Sequence, residues 1–209
     1  MEERQTVNIS EAKTRLLKKE AIDKLGVNAY PSKVNRDMPV AEAVSSSKKS
    51  DTSIWLAGKI TSIRSHGKSG FADIQDQSGK IQLYIKQDEV GEKSYSFYTD
   101  NIDVGDYINV CGKLFTTKTK EPTLRVEQLI LLAKSLKPLP DKWSGLTDTE
   151  IRYRKRYLDF LINCRSKENI ILRSNIVANL RSFMQENGFI EVETPILQPI
   201  PGGASAKPF

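Results

Sequence analysis

Hydrophobic residues recur every three or four positions near the start of the chain, every two positions through its middle, and every three or four again toward its end. In "SEAKTRLLKKEAIDKL", residues 10–25, Leu17, Ala21 and Leu25 fall at four-residue spacing with Leu16 and Ile22 beside them. Ser10 can cap this run and Gly26 can stop it, so an amphipathic helix is predicted. Its other face, with Lys13, Arg15, Lys18 and Lys19, reads as solvated, with contact to an RNA backbone as the alternative. The polar run "AVSSSKKSDTS", 43–53, reads as a linker. Between Ile54 and Lys134 the period shortens to two and predicts five strands, over 54–64, 70–76, 79–86, 105–117 and 123–134. "QSG" makes a tight turn between the second and third, "KTKEP" turns between the fourth and fifth, and "QDEVGEKSYSFYTDNI" between the third and fourth is long enough for a helix.

Five strands with a helix after the third is the order of an OB-fold, a small barrel that binds oligonucleotides or oligosaccharides on its strand 2–3 face. Alternation assigns the faces. Ile81, Leu83 and Ile85 must share the core side of strand three, so Gln82, Tyr84 and Lys86 point out. Strand two buries Ala72 and Ile74 and leaves Phe71, Asp73 and Gln75 outside. Strand five presents Arg125 and Glu127 outward against Leu124 and Val126 inward. Two readings of Phe71 stand at this point. It is a stacking platform for a base, worth about 1–3 kcal/mol, or a side chain covered by a loop.

The third region follows the connector "SLKPLPDKWSGLTD", 135–148. "DTEIRYRKRYLDFLINC" interleaves cations with aromatics and can touch RNA, but an amphipathic helix with Tyr153, Tyr157, Leu158 and Leu161 packed inward explains the same residues and is preferred. "SKENIILRSNIVANLRSFMQENG" sets Ile176, Leu180 and Met184 on one stripe and ends at Gly188, a suitable residue just past a helix. The run "FIEVETPIL" reads as a strand whose Pro195 belongs at an edge.

A chain of 209 residues, 38% hydrophobic and 28% charged, suits one large or two small globular domains. The longest apolar run, "LILLA", is too short for a bilayer and "MEERQTVNIS" is no secretory signal, so a cytoplasmic location is expected, with no membrane. Cys111 and Cys164 lack metal-ligand spacing and His66 is the only histidine, so neither zinc nor another metal is expected here, and two buried thiols are. The net charge of +6 permits a polyanionic partner. It does not locate one in the middle of the chain, because residues 51–134 carry eleven basic and eleven acidic groups.

The motifs "GKIQLY", "KPLPDKWSGLTD", "RYRKRYLD", "GFIEVETPIL" and "IPGGASAKPF" together resemble the N-terminal part of the class II lysyl-tRNA synthetases. The last separates them from the aspartyl and asparaginyl enzymes, which share the barrel. The resemblance implies an α+β chain: an N-terminal helical extension (1–53), an OB-fold anticodon-binding barrel (54–134), a linker (135–150), and the start of an antiparallel-sheet catalytic domain (151–209). It implies that Phe71 stacks the middle anticodon uridine of tRNA(Lys) and that Arg64, Gln82 and Glu127 hold it. It implies that "GFIEVETPIL" is motif 1, a homodimer interface with Gly188, Phe189 and Pro195 in their places, and that Gly202, Gly203 and Ala204 border the lysine pocket. ATP and Mg2+ would be bound by motifs 2 and 3, which this sequence lacks. The chain is therefore expected to be less than half of a lysine–tRNA ligase, with no catalytic residue of its own. A tRNA-binding module without catalysis, or an aspartyl or asparaginyl relative, are the alternatives.

Overall fold

The computed structural model of the chain describes residues 2–46, 52–138 and 146–196, with side chains from Glu11 onward. The chain forms two compact units, Met1–Leu139 and Pro140–Phe209.

The first unit is built on a closed five-stranded barrel. Its strands β1 (Ile54–His66), β2 (Ser69–Gln75), β3 (Lys80–Lys86), β4 (Tyr107–Thr116) and β5 (Pro122–Ala133) close in the order β1-β2-β3-β5-β4. Only β3 and β5 pair in parallel. The period-two pattern does what it predicts in β3, where Ile81, Leu83 and Ile85 are buried and Gln82, Tyr84 and Lys86 are half-buried on the other side. The "QSG" turn forms around Asp76, whose Oδ1 accepts from the backbone N–H of Ser78 (2.7 Å) and of Gly79 (2.9 Å). Barrel closure rests on Gly112. The β4–β5 register shifts between Cys111 and Gly112, and a Cβ at 112 would lie 1.9 Å from the carbonyl oxygen of Arg125.

Helix α1 spans Glu2–Lys24 and packs on the barrel unit along the line of Arg15, Lys18 and Ile22, about a quarter turn from the line of Leu17, Ala21 and Leu25. Ile22 is buried, but Leu17 is 56% and Leu25 63% exposed, while Arg15 is buried. The reason is the chemistry of the barrel rim. Carbonyls and carboxylates lie there, and unpaired polar groups are costly to bury. Arg15 donates to the carbonyl oxygens of Val104 (3.0 Å) and Ser135 (3.2 Å), and Lys18 pairs with Asp103 at 2.6 Å. Lys134, fully buried, bonds Asp106 at 2.6 Å and the Asn101 carbonyl at 2.7 Å, and also pairs with Asp103. Arg15 and Lys18 thus belong to the packed face.

Helix α2 (Val40–Ser45) buries Val40 and Ala43 in the same core as the strands. The run read as a linker therefore opens inside a helix, because Ala43 finds apolar cover; residues 47–51 of it lie outside the described residues. The helical insertion is two pieces, α3 (Gln87–Val90) and α4 (Glu92–Asn101), joined at Gly91 with φ +84°. Tyr95 and Tyr98 of α4 are buried, and the Tyr95 hydroxyl donates to the carbonyl of Gly67, bracing the β1–β2 turn. Burial pushes the Tyr98 phenol up to about 12, and its buried hydroxyl makes no hydrogen bond among the described residues.

The second unit holds α5 (Thr149–Arg154), α6 (Arg156–Ile162) and α7 (Cys164–Glu186). Asp148 caps α5 by accepting from the Ile151 N–H at 3.0 Å. The single helix expected over this stretch is broken at Lys155, and its tyrosines are not packed inward. Tyr153 is 73% exposed, Tyr157 and Leu161 are exposed, and Leu158 is half-buried. What turns inward is Asp159, which takes Arg152 (2.8 Å), Arg156 (2.6 Å) and Asn163 (2.7 Å). A carboxylate gathering three donors bends the chain about itself; Arg156 then lies over the rings of Phe160 and Tyr153.

Helix α7 ends as its sequence predicts. Gly188 adopts φ +83°, Gly188 N–H donates to Gln185 O, and Phe189 N–H to Met184 O, the paired bonds of a Schellman stop. Its stripe of Ile176, Leu180 and Met184 is exposed among the described residues. Residues 189–196, expected as a strand, pair with no ladder among the described residues, since a strand is defined by the neighbour it bonds. Gly202, Gly203 and Ala204 lie outside the described residues. Cys111 is buried, as expected of both thiols, but Cys164 is exposed at the start of α7.

Candidate nucleic-acid interface

The strand registers lay two rows of outward residues across the barrel. One runs Arg64, Phe71, Tyr84, Arg125 and Lys113, each opposite the next. The other runs Ser62, Asp73, Gln82, Thr123 and Phe115. Beside them two adjoining grooves open. The first is lined by Arg64, Asp73, Lys80, Gln82 and Glu121, the second by Arg64, His66, Phe71, Gln82, Lys118 and Glu121. Arg64, Gln82 and Glu121 border both. Phe71 is half-buried and lines the open second groove, its ring 5.2 Å from that of Tyr84.

Asp73 fixes the electrostatics of the floor. It sits on the outer face, as alternation places it, yet only 8% of it is exposed. Burial pushes its carboxyl up, but the Ser62 hydroxyl and the Lys80 ammonium (3.0 Å) outweigh that and hold it below the usual carboxylate value. Arg64 stands 3.8 Å from the same carboxylate, within electrostatic reach but beyond a hydrogen bond, so its guanidinium keeps donors for a ligand. The buried Thr123 hydroxyl donates to Gln82 Oε1 at 3.1 Å. That leaves the amide N–H groups of Gln82 as donors toward a partner.

Three of the four residues named from sequence, Arg64, Phe71 and Gln82, therefore come together. Glu127 does not join them. It accepts from the Ser53 hydroxyl at 2.7 Å, stands 4.0 Å from Lys113, and lines neither groove. The acid at the groove is Glu121. The cause is the β3–β5 pairing: Gln82 lies opposite Thr123, so an acid beside Gln82 must sit within about two residues of 123, and Glu127 is too far along the strand. Alternation tells which face a residue takes but not how far along the neighbouring strand it stands. Glu121 was visible only as part of a turn. The Tyr84 and Phe115 rings, 6.3 Å apart edge to face, also had no signal in the sequence beyond the outward position of Tyr84.

Known families carry the same two parts in the same order. The family model described as an OB-fold nucleic acid binding domain matches residues 54–132, and that of the class II tRNA synthetases (D, K and N) matches residues 148–209. The chain belongs to the class II tRNA synthetases. Within that class its curated relatives are lysine–tRNA ligases. It is 45% identical over 198 residues to that of Carboxydothermus hydrogenoformans, covering 94% of this chain and 40% of the relative. With that of Aquifex aeolicus it shares 54% over 156 residues, 75% of this chain and 26% of the relative. With that of Haemophilus influenzae the figures are 47% over 190 residues, 87% and 38%. The chain spans about two fifths or less of the length of these relatives. None of its described helices is long and apolar enough to cross a membrane.

Proposed function

We propose that the barrel grips the anticodon of tRNA(Lys), with Phe71 as the stacking platform and Arg64, Gln82 and Glu121 reading the edge of the base. The observation that supports this is the convergence of these four side chains on one pair of joined grooves. A uridine edge offers two carbonyl acceptors and one N–H donor. The donors of Arg64 and Gln82 suit the carbonyls, and a Glu121 carboxylate suits the N–H, whereas cytidine would present an acceptor to that carboxylate. Lys118 and Lys120 on the β4–β5 turn add backbone attraction.

In the whole protein we take this recognition to serve a lysine–tRNA ligase in the cytoplasm, which activates lysine with ATP and Mg2+ and transfers it to tRNA(Lys). Gly202, Gly203 and Ala204 would let backbone approach the lysine. Gly188, Phe189 and Pro195 would belong to a homodimer interface; Gly188 turns the chain out of α7 and Phe189 is exposed beside it. Among the described residues no group of three or more His, Cys, Asp or Glu could hold a metal ion.

The test is Phe71→Ala, titrated with an anticodon stem-loop carrying UUU at one fixed salt concentration. Loss of one π-face should weaken binding by about 1–3 kcal/mol, roughly ten- to hundredfold, with the melting temperature held. Glu121→Gln should reduce discrimination against a middle cytidine, and Glu127→Gln should not. Parent-like binding by Phe71→Ala, with a sharp drop in melting temperature, would make Phe71 a packing residue and defeat the reading.

A further inference from the structure

We propose that Tyr95, on the helical insertion, is a positioning residue: its hydroxyl holds the β1–β2 turn and so keeps His66 at the groove. The inference rests on the reading that this groove binds the anticodon. It adds to that reading a residue outside the strands, which touches the turn from the insertion and not the ligand.

The β1–β2 hairpin turns on Gly67 and Lys68, beyond the last ladder pair, His66 opposite Ser69. Both members of that pair line the second groove. The end of a ladder has a neighbour on one side only, so a turn that frays carries the last pair with it. The insertion meets this turn at both of its carbonyls. That of Gly67 accepts from the Tyr95 hydroxyl at 2.9 Å, and that of Lys68 from the Gln87 N–H at 3.0 Å. The two donors belong to one hydrogen-bonded run. Gly91 N–H donates to Gln87 O at 2.9 Å and Tyr95 N–H to Gly91 O at 3.0 Å, which carries the run from α3 into α4. The Tyr95 ring is buried, so its hydroxyl is a fixed point against which the turn is set.

Tyr98 supplies the comparison on the same helix. Its ring is buried against that of Tyr95, with centroids 6.2 Å apart, yet its hydroxyl has no partner among the described residues. Tyr→Phe at either position removes the same atom from the same packed pair, and only at 95 does it release the turn. A turn held before binding does not have to be ordered during binding, so the Tyr95 bond acts on affinity as well as on folding.

The experiment titrates the chain with the UUU anticodon stem-loop at one salt concentration and follows amide exchange at residues 66–69. Tyr95→Phe should weaken binding about three- to tenfold and speed that exchange, and Tyr98→Phe should do neither. In a His66→Ala background Tyr95→Phe should cause no further loss, because the group it positions is gone. An equal loss in both backgrounds would make Tyr95 a packing residue and overturn the proposal. If Tyr95→Phe binds as the parent does while Phe71→Ala is weak, the positioning role is refuted and the Phe71 site stands. If Phe71→Ala binds as the parent does while Tyr95→Phe is weak and silent in the His66→Ala background, the positioning role stands and the Phe71 platform falls. Should Tyr95→Phe lower the melting temperature, Gln87→Pro decides. Gln87 is the first residue of α3 and follows Lys86 at φ −122°, ψ 133°, a place proline accepts, so the change removes the N–H that holds Lys68 and leaves the Tyr95 ring in place. Parent-like affinity in Gln87→Pro would then sink the proposal, and weakened affinity would uphold it.

Discussion

The two units treat the same kinds of residue in opposite ways. In the barrel unit the apolar side chains are inside, from Leu56 on β1 to Leu131 on β5, and α1 and α2 add Ile22, Val40 and Ala43 to one continuous core. In the second unit the described residues that are buried are Asp159 and Ser166, while Ile176, Leu180 and Phe183 face outward. The difference shows that a hydrophobic stripe states a demand for cover, and only the surrounding chain says whether the demand is met. A closed barrel meets it within about eighty residues because every strand supplies an inner face to the others. A long helix cannot meet it alone.

The largest effect that would test this contrast comes from the one strongly polar site inside the barrel unit. Lys134→Met removes the cation that neutralises the buried Asp106 and assists Asp103. An uncompensated buried carboxylate should lower stability by about 3–5 kcal/mol, read as a lower urea midpoint, with the helical signal of residues 146–196 unchanged. If both units unfolded together in that variant, their independence would be lost. Next in size, Asp159→Ala deletes the acceptor for Arg152, Arg156 and Asn163. It should cost about 2 kcal/mol locally and loosen amide protection over 149–166, leaving protection in β1–β5 as it is.

Most of the barrel was legible because period two is a local property, and strands bury what alternation says they bury. What was not legible depended on distant partners. The rim carbonyls of Val104 and Ser135 turned α1 by its arginine, so Leu17 is outside and Arg15 inside, and no count along α1 contains those carbonyls. Asp159 looked like one charge among many in "RYRKRYLD", yet it organises its unit through residues three to seven positions away. At the interface, Arg64, Phe71 and Gln82 could be chosen by face and chemistry. That Glu121 and not Glu127 lies beside Gln82 follows from the parallel β3–β5 register, which no local pattern contains. Local pattern gave orientation, and topology gave neighbours.

A smaller effect, shared by both units, comes from acid. Burial raises the carboxyls of Asp73, Asp103 and Asp159, but their hydrogen bonds outweigh it: Ser62 and Lys80 for the first, Lys134 and Lys18 for the second, Asn163 and Arg152 for the third, so each is lowered overall. A carboxyl lowered in the folded state contributes stability above its unfolded value, about 4, and loses it as pH falls through the folded value. Thermal midpoints should therefore be flat from pH 7 to 5 and decline below about 4. In Asp103→Asn the decline should be shallower, with a lower starting stability. A steady loss beginning near pH 6 instead would show that these three carboxylates do not govern the acid limb.

The smallest effect on folding should come from the most apolar surface. Leu180 is 60% exposed on α7, so Leu180→Gln removes little buried area and should change unfolding free energy by no more than about 0.5 kcal/mol. Leu83, fully buried on β3, is the reference: Leu83→Ala should cost about 2–5 kcal/mol. The two leucines differ in what covers them, and that is the comparison in its simplest form. Leu180 should matter instead to association. Apolar residues lined along α7 form a patch that water disfavours, and a second copy is the cover that the homodimer proposal supplies. Sedimentation at rising concentration should show the parent self-associating and Leu180→Gln remaining monomeric to higher concentration. If Leu180→Gln lowered the unfolding midpoint as much as Leu83→Ala did in a monomeric parent, then α7 would be covered within its own chain, and the contrast between the two units would disappear.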